Sequence, residues 1–163
     1  MIFIIFISIV ILLRIGELIY SRSNEKWLIQ HGALEFGQKH YPFMISLHML
    51  FFVSLIVEYS IKQPVAFNLF LLFVYAFMII IKTWVVLTLG KFWNVKIYHI
   101  PNVPLIKHGF YSIFKHPNYM IVIIEIAVIP LIFQLYYTAV IFSILNAIML
   151  FIRIREENKA IRI

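Results

Sequence analysis

Five long apolar runs constrain this chain more than any other feature. They occupy Met1 to about Tyr20, Phe43 to Ile61, Pro64 to Leu89, Tyr119 to Phe133 and Tyr136 to Ile152. A helix needs ~20 apolar residues to cross the ~30 Å hydrocarbon core, and in lipid the backbone can satisfy its polar groups only within itself. Polar or Pro/Gly-containing breaks separate the runs. The pattern therefore predicts an all-α integral membrane protein of about five transmembrane helices, with residues 1–163 forming one membrane domain. The last two runs are parted only by Gln134 and its neighbours, which predicts a tight helical hairpin. Composition agrees: 63% of the residues are hydrophobic and 13% charged, against roughly 45–50% and about 25% in soluble domains.

The first run opens Met1-Ile2-Phe3-Ile4, without a basic leader or a small-residue cleavage site, and reads as a retained helix. The chain has no cysteine, which excludes disulfides, thiolate nucleophiles and cysteine metal sites.

Orientation follows from the Lys and Arg residues, which are retained on the cytoplasmic side. Eleven of the fourteen lie in the first loop (Arg22, Lys26, Lys39), the third loop (Lys91, Lys96, Lys107, Lys115) and the tail (Arg153, Arg155, Lys159, Arg162). Lys62 alone falls on the opposite side, so the N-terminus is expected outside and the C-terminus in the cytoplasm, across what would be a bacterial plasma membrane. The formal charge of +7 then reflects topology and attraction to anionic membrane lipids, and nucleic acid is not an expected partner.

Five ionisable residues fall within the runs: Arg14, Glu17, His48, Lys82 and Glu125. All lie in the cytoplasmic half, although each costs at least ~2.5–3.5 kcal/mol at the bilayer centre. Each has a plain structural reading. Arg14 and Glu17, three apart, can neutralise one another, Lys82 can snorkel to the headgroups, and His48 can serve helix packing. Glu125 is deep and has no partner nearby in sequence, whereas Glu58 sits at the outer end of its span and reads as interfacial. Together the five suggest a polar cavity opening to the cytoplasm beneath the third loop and the tail.

That loop, Gly90 to Pro117, mixes Trp93, Asn94, His99, His108 and His116 with Pro101, Pro104 and Gly109. Its Asn94-Val95-Lys96-Ile97 stretch alternates polar with apolar, which fits an extended or surface-lying segment. The three histidines match no local metal-ligand spacing, so no metal is expected. Pro117 suits the first turn of a helix that puts His116 and Tyr119 one turn apart at the mouth. In the tail, Arg153 and Glu157 are i, i+4 and share a helix face, a pattern equally suited to a basic membrane anchor with solvated acids.

Several segments carry a family resemblance: Leu89-Gly90-Lys91-Phe92-Trp93, Gly109-Phe110-Tyr111 followed by Lys115-His116-Pro117-Asn118-Tyr119, and Arg153 to Glu157. In order and spacing they resemble the signatures of the isoprenylcysteine carboxyl methyltransferase family. The front half resembles that family's short bacterial branch, which includes alkylpyrone O-methyltransferases. The likeness is carried there by Arg14-Ile15-Gly16-Glu17-Leu18, Ser21-Arg22-Ser23-Asn24, Gly32-Ala33-Leu34-Glu35 and His40-Tyr41-Pro42. Lys115 and Phe110 depart from the family's usual Arg and Pro.

The resemblance implies an S-adenosylmethionine-dependent O-methyltransferase with a cytoplasmic catalytic loop and a lipophilic small-molecule acceptor. It assigns His116, Tyr119, Tyr111 and Glu157, with Glu156 as the register alternative, to the cofactor, and Arg153 and Lys82 to the acceptor. Acidic enols such as long-chain alkylpyrones come first as acceptors, prenylated or other lipid carboxylates second, and amines last because two cations repel an ammonium. A lipid- or partner-binding scaffold and a membrane reductase-like relative are the rival readings.

Overall fold

The computed structural model describes residues 1–104, 106 and 108–160. Lys107 and Arg162, two of the basic residues counted for orientation, lie outside the described residues. Among the described residues five α-helices run in order: α1 (Ile2–Gln30), α2 (Tyr41–Lys62), α3 (Leu69–Leu89), α4 (Pro117–Ile132) and α5 (Tyr136–Ala160). Of these, α1, α2, α3 and α5 are long and apolar enough to cross a membrane, which makes the chain an all-helical integral membrane protein.

The helix ends follow local chemistry. Pro42 and Pro117 stand in the first turns of α2 and α4, where a missing N–H costs nothing. Asn68 caps α3 by accepting a hydrogen bond from the Leu71 amide at 3.1 Å. Pro130 precedes the end of α4, and Gln134, at φ 57°, turns the chain into α5, so the expected hairpin is present.

Three boundaries differ from those expected. Helix α1 continues past Tyr20 to Gln30, because Ser21, Asn24 and Leu28 bury one face of its last turns against the third loop. The last helix runs on to Ala160, so that the tail is its final turns, and α3 begins at Leu69, after an irregular 64–68 segment. Helix α4 has only 16 residues, or ~24 Å at 1.5 Å per residue. It tolerates that length because it is the inner helix, packed between α3 and α5 with more than half its residues buried. The other helices turn apolar side chains such as Phe70, Phe73, Ile141 and Phe151 outward, as a lipid-facing surface requires.

The core lies at the end of the bundle opposite the third loop. Phe3, Ile7 and Val10 of α1, Phe51 and Leu55 of α2, and Ile126, Ile129 and Ile132 of α4 close around Phe133. The Phe133 ring meets Phe3 edge-on at 5.1 Å between centroids, and Phe3 stacks on Tyr59 at 3.8 Å. Glu58 is more than interfacial. It is buried and accepts hydrogen bonds from the Tyr137 and Thr138 amides at 3.2 and 2.7 Å, capping the otherwise unsatisfied start of α5, with Lys62 at 2.9 Å.

With apolar packing concentrated at one end, the helices part at the other. There a two-stranded antiparallel ribbon, β1 (Leu34–Phe36) and β2 (Ile97–His99), ties the first loop to the third. The stretch expected to be extended, Asn94 to Ile97, is mostly a bend that leads into β2, with Ile97 the residue they share.

Candidate functional site

The end of α1 fixes the third loop. The Asn24 amide donates to the carbonyls of Gly90 and Trp93 at 3.0 and 2.8 Å. Ser21 Oγ donates to Asn94 Oδ1 and accepts from the Val95 amide, both at 3.0 Å. These bonds press the Trp93 side chain inward until it is 3% exposed. The Ser21-Arg22-Ser23-Asn24 motif is therefore a loop anchor.

Beside Trp93, the start of α4 and the last turns of α5 meet. Arg153 and Glu157 project from one face of α5, as their spacing predicts, and Tyr119 lies between them. Arg153 Nε donates to the Tyr119 hydroxyl at 2.9 Å, and that hydroxyl donates to Glu157 Oε2 at 2.6 Å. The same carboxylate oxygen lies 3.3 Å from His116 Nδ1, and the His116 and Tyr119 rings stack at 5.3 Å. Arg153 also donates to the Val95 carbonyl, which couples α5 to the pinned loop.

Tyr111, from a short 3-10 turn, lines the same space. Burial and the nearby Glu157 charge push its hydroxyl well above the usual tyrosine range, so it remains a donor. Glu156 points away to Lys159 at 2.6 Å, and Asn158 accepts from Lys115 at 2.8 Å. The geometry thus selects Glu157 over Glu156 as the acid that joins His116 and Tyr119.

These side chains enclose a polar chamber of about 130 Å³. Among the described residues, three buried side-chain polar atoms have no hydrogen-bond partner: Trp93 Nε1, His116 Nε2 and Asn118 Oδ1. All three residues line this chamber. Orphaned buried polar atoms cost ~1–3 kcal/mol each, and three of them on residues around one cavity make it the candidate ligand site. Neither Trp93 nor Asn118 stands out as a site residue by sequence, because a tryptophan near a membrane surface and an asparagine in a helix's first turn are both ordinary there.

Below it lies a second, mostly apolar chamber of about 360 Å³, with Ile11, Phe52, Val122 and Leu150 in its walls. Trp93, Asn118, Tyr119 and Arg153 line both chambers and form the partition between them.

Arg14, Glu17 and Lys82 stand at the floor of this second chamber, and Glu125 joins them from α4. Arg14 reaches Glu17 at 2.9 Å and Glu125 at 2.6 Å, while Lys82 reaches Glu17 at 2.5 Å and Glu125 at 3.3 Å. They form a closed ring of alternating charge joining α1, α3 and α4. Glu125 thus has two partners, both distant in sequence, and Lys82 does not snorkel. Arg153 and Lys82 do share a chamber, but the Lys82 ammonium is committed to carboxylates. Arg153 is the chamber cation with no carboxylate within 4 Å among the described residues. On the far side of α1, a groove of about 540 Å³ runs between α1 and α3 and meets the same ring.

On the outer side of the loop, Lys96 contacts Glu25 at 2.6 Å and Glu35 at 3.6 Å, while the Tyr98 hydroxyl donates to Glu25 at 2.7 Å. The hydrogen bond to Glu25 holds the Lys96 ammonium above its ordinary range, and these contacts brace the ribbon over the polar chamber.

The sequence profile of the isoprenylcysteine carboxyl methyltransferase family matches residues 69–163, the segment that supplies α3, the third loop, α4 and α5. An uncharacterized protein of Bacillus subtilis (strain 168), YpbQ, is 45% identical over 158 residues, covering 96% of this chain and 94% of its own. An uncharacterized protein of Haemophilus influenzae is 30% identical over 155 residues, covering 93% and 90%. No solved structure matches.

Proposed function

The chain belongs to the isoprenylcysteine carboxyl methyltransferase family, whose membership points to a membrane methyltransferase, and from that premise we propose that it moves a methyl group from S-adenosylmethionine to an oxygen of a lipophilic acceptor. The observation that carries the proposal is the pair of chambers of opposite chemistry sharing one wall: a polar one at the loop end and an apolar one at membrane depth.

The residues of the polar chamber fit such a cofactor. Trp93 Nε1 can serve as a donor toward a carboxylate or purine nitrogen, Asn118 Oδ1 and, in the neutral ring whose Nδ1–H faces Glu157, His116 Nε2 are acceptors for an ammonium or exocyclic amine, and Glu157 offers a negative charge to a cationic ligand. At about 130 Å³ the chamber is below the ~300–1,000 Å³ of typical ligand sites, so in this shape it encloses only the most polar part of the cofactor. Bound there, S-adenosylmethionine supplies an electrophilic methyl group on a sulfonium.

The chain's own contribution is position and charge. Tyr119, held by Arg153 and Glu157, keeps the partition in one arrangement. Arg153 is the group placed to hold an acceptor's oxygen, because its charge is not neutralised by a carboxylate. Placing two reactants in line across a dry partition can supply ~7–11 kcal/mol of the barrier without any nucleophilic side chain. Lys82 belongs to the ring that closes the chamber floor, so the role of holding the acceptor oxygen falls to Arg153 alone. An acidic enol of the alkylpyrone kind is the favoured acceptor and a prenylated carboxylate the second.

The proposed orientation puts the polar chamber in the cytoplasm, where the cofactor is made. A reporter fused after Ile163 is then cytoplasmic and one inserted at Lys62 external, and the reverse pattern would overturn it. The reaction is tested by incubating purified chain with methyl-labelled S-adenosylmethionine and membrane lipid extracts. Transfer of label to an extractable lipid oxygen is expected. Label found on nitrogen, or on no lipid at all, would contradict the proposal.

A further inference from the structure

We propose that His48 is the general base that removes the proton from the acceptor's hydroxyl in the membrane chamber. This rests on the oxygen-methylation reading above. A hydroxyl entering a chamber walled by Ile11, Phe52 and Val122 arrives protonated, since desolvation disfavours its anion even where water would ionise it. A neutral oxygen attacks carbon poorly, so the proton has to leave as the new bond forms.

Among the described residues facing the chamber, His48 alone offers a basic lone pair. Both Glu17 oxygens and the Glu125 carboxylate are taken by Arg14 and Lys82. The Tyr119 hydroxyl is spent between Arg153 and Glu157. His48 is half-buried and its Nδ1 lies 2.9 Å from the Met44 carbonyl. A carbonyl can only accept, so Nδ1 carries the hydrogen, and in the neutral ring Nε2 carries the lone pair. Nε2 makes no hydrogen bond among the described residues.

The position also suits the role. Arg153 Nη1 reaches the Met44 sulfur, and His48 follows Met44 by about one turn of α2, ~6 Å deeper along the helix. The cation that would hold the acceptor oxygen and the base that would take its proton are therefore adjacent on one wall. His48 Nε2 takes the proton as the acceptor's O–H bond breaks and its electron pair forms the O–CH₃ bond. The S–CH₃ bond broken in exchange leaves its pair on a neutral thioether, so one positive charge passes from sulfonium to imidazolium. The other charged or titratable groups around His48 are Arg14 and Glu17 of α1, Lys82 of α3, Tyr119 of α4 and Arg153 of α5, with Glu125 of α4 joined to Arg14 and Lys82.

The test compares the parent chain with His48→Asn, which keeps an amide donor toward Met44, and His48→Gln. Acceptors of one chain length run from carboxylic acid through acidic enol to phenol. In both variants kcat is expected to fall by ~100-fold or more for the phenol, by a smaller factor for the enol and least for the carboxylic acid. For the phenol, kcat/KM of the variants should climb steeply with pH. Independently of turnover, the ¹⁵N spectrum of labelled histidine in the parent without cofactor should show His48 as the Nδ1–H tautomer. A loss equal across the series, no loss, or an Nε2–H tautomer would overturn the assignment. If the parent methylates none of the acceptors, the oxygen-methylation reading fails and this proposal falls with it.

Discussion

The polar chamber under the third loop and the ionic ring at the chamber floor are both charged, both lined by α4, and yet finished to different degrees. In the ring every charge meets its opposite, with Arg14, Glu17, Lys82 and Glu125 closing on one another at 2.5–3.3 Å. In the chamber, Trp93 Nε1, His116 Nε2 and Asn118 Oδ1 are buried without partners. A satisfied buried network holds helices together, whereas an unsatisfied one is stabilised when a ligand supplies the missing groups. The comparison separates a structural clasp from a binding site, although sequence alone presents both as ionisable residues in an apolar chain.

The largest effect is expected from the clasp. Glu125→Leu leaves two cations facing Glu17 alone and should destabilise the fold by ~3–5 kcal/mol, measured by titrating mixed micelles with a denaturing detergent. Lys82→Met with Glu125→Leu keeps the Arg14–Glu17 pair and should cost less than the two single losses added together. If Glu125→Leu is as stable as the parent, the ring does not hold the helices together.

Arg153 stands on the partition, and its replacement divides chemistry from cofactor binding. Arg153→Ala should lower turnover ~10- to 1000-fold at saturating cofactor, while S-adenosylhomocysteine affinity falls by much less. Equal losses in both would place Arg153 in the cofactor site and leave the acceptor without a cation.

Within the polar chamber, His116→Ala and Glu157→Ala should each weaken S-adenosylhomocysteine by ~1.5–3 kcal/mol, the worth of a hydrogen bond to a charged group. Glu156→Ala, one residue away but facing Lys159, should change affinity by no more than ~0.5 kcal/mol. A loss of stability smaller than that of the clasp belongs to neither region. Glu58→Ala removes the cap from α5 and should cost ~1–2 kcal/mol of stability, with cofactor affinity unchanged.

What the sequence showed and what it hid divide along physical lines. Apolar run length determines whether a segment can cross lipid, so the helices and the α4–α5 hairpin were legible. The i, i+4 spacing of Arg153 and Glu157, and the turn between His116 and Tyr119, are local and were legible too. The ring was not, beyond its Arg14–Glu17 edge, because Glu125 meets residues 111 and 43 positions away and no periodicity encodes such a meeting. Glu58 was hidden for the same reason, its partners lying on α5. The extension of α1 was missed because Ser21 and Asn24, polar and past the apolar run, resemble the start of a loop. Their burial becomes apparent only once Gly90 and Trp93 are placed against them.

The central claim is that the polar chamber, not the ring, receives the cofactor. Its most direct test is calorimetric titration of S-adenosylhomocysteine into the detergent-purified full chain and its Glu157→Ala and Glu156→Ala variants. Saturable one-site binding is expected for the parent and Glu156→Ala, with affinity at least ~10-fold weaker in Glu157→Ala. No binding by the parent, or a Glu157→Ala variant that binds as tightly as the parent, would contradict it.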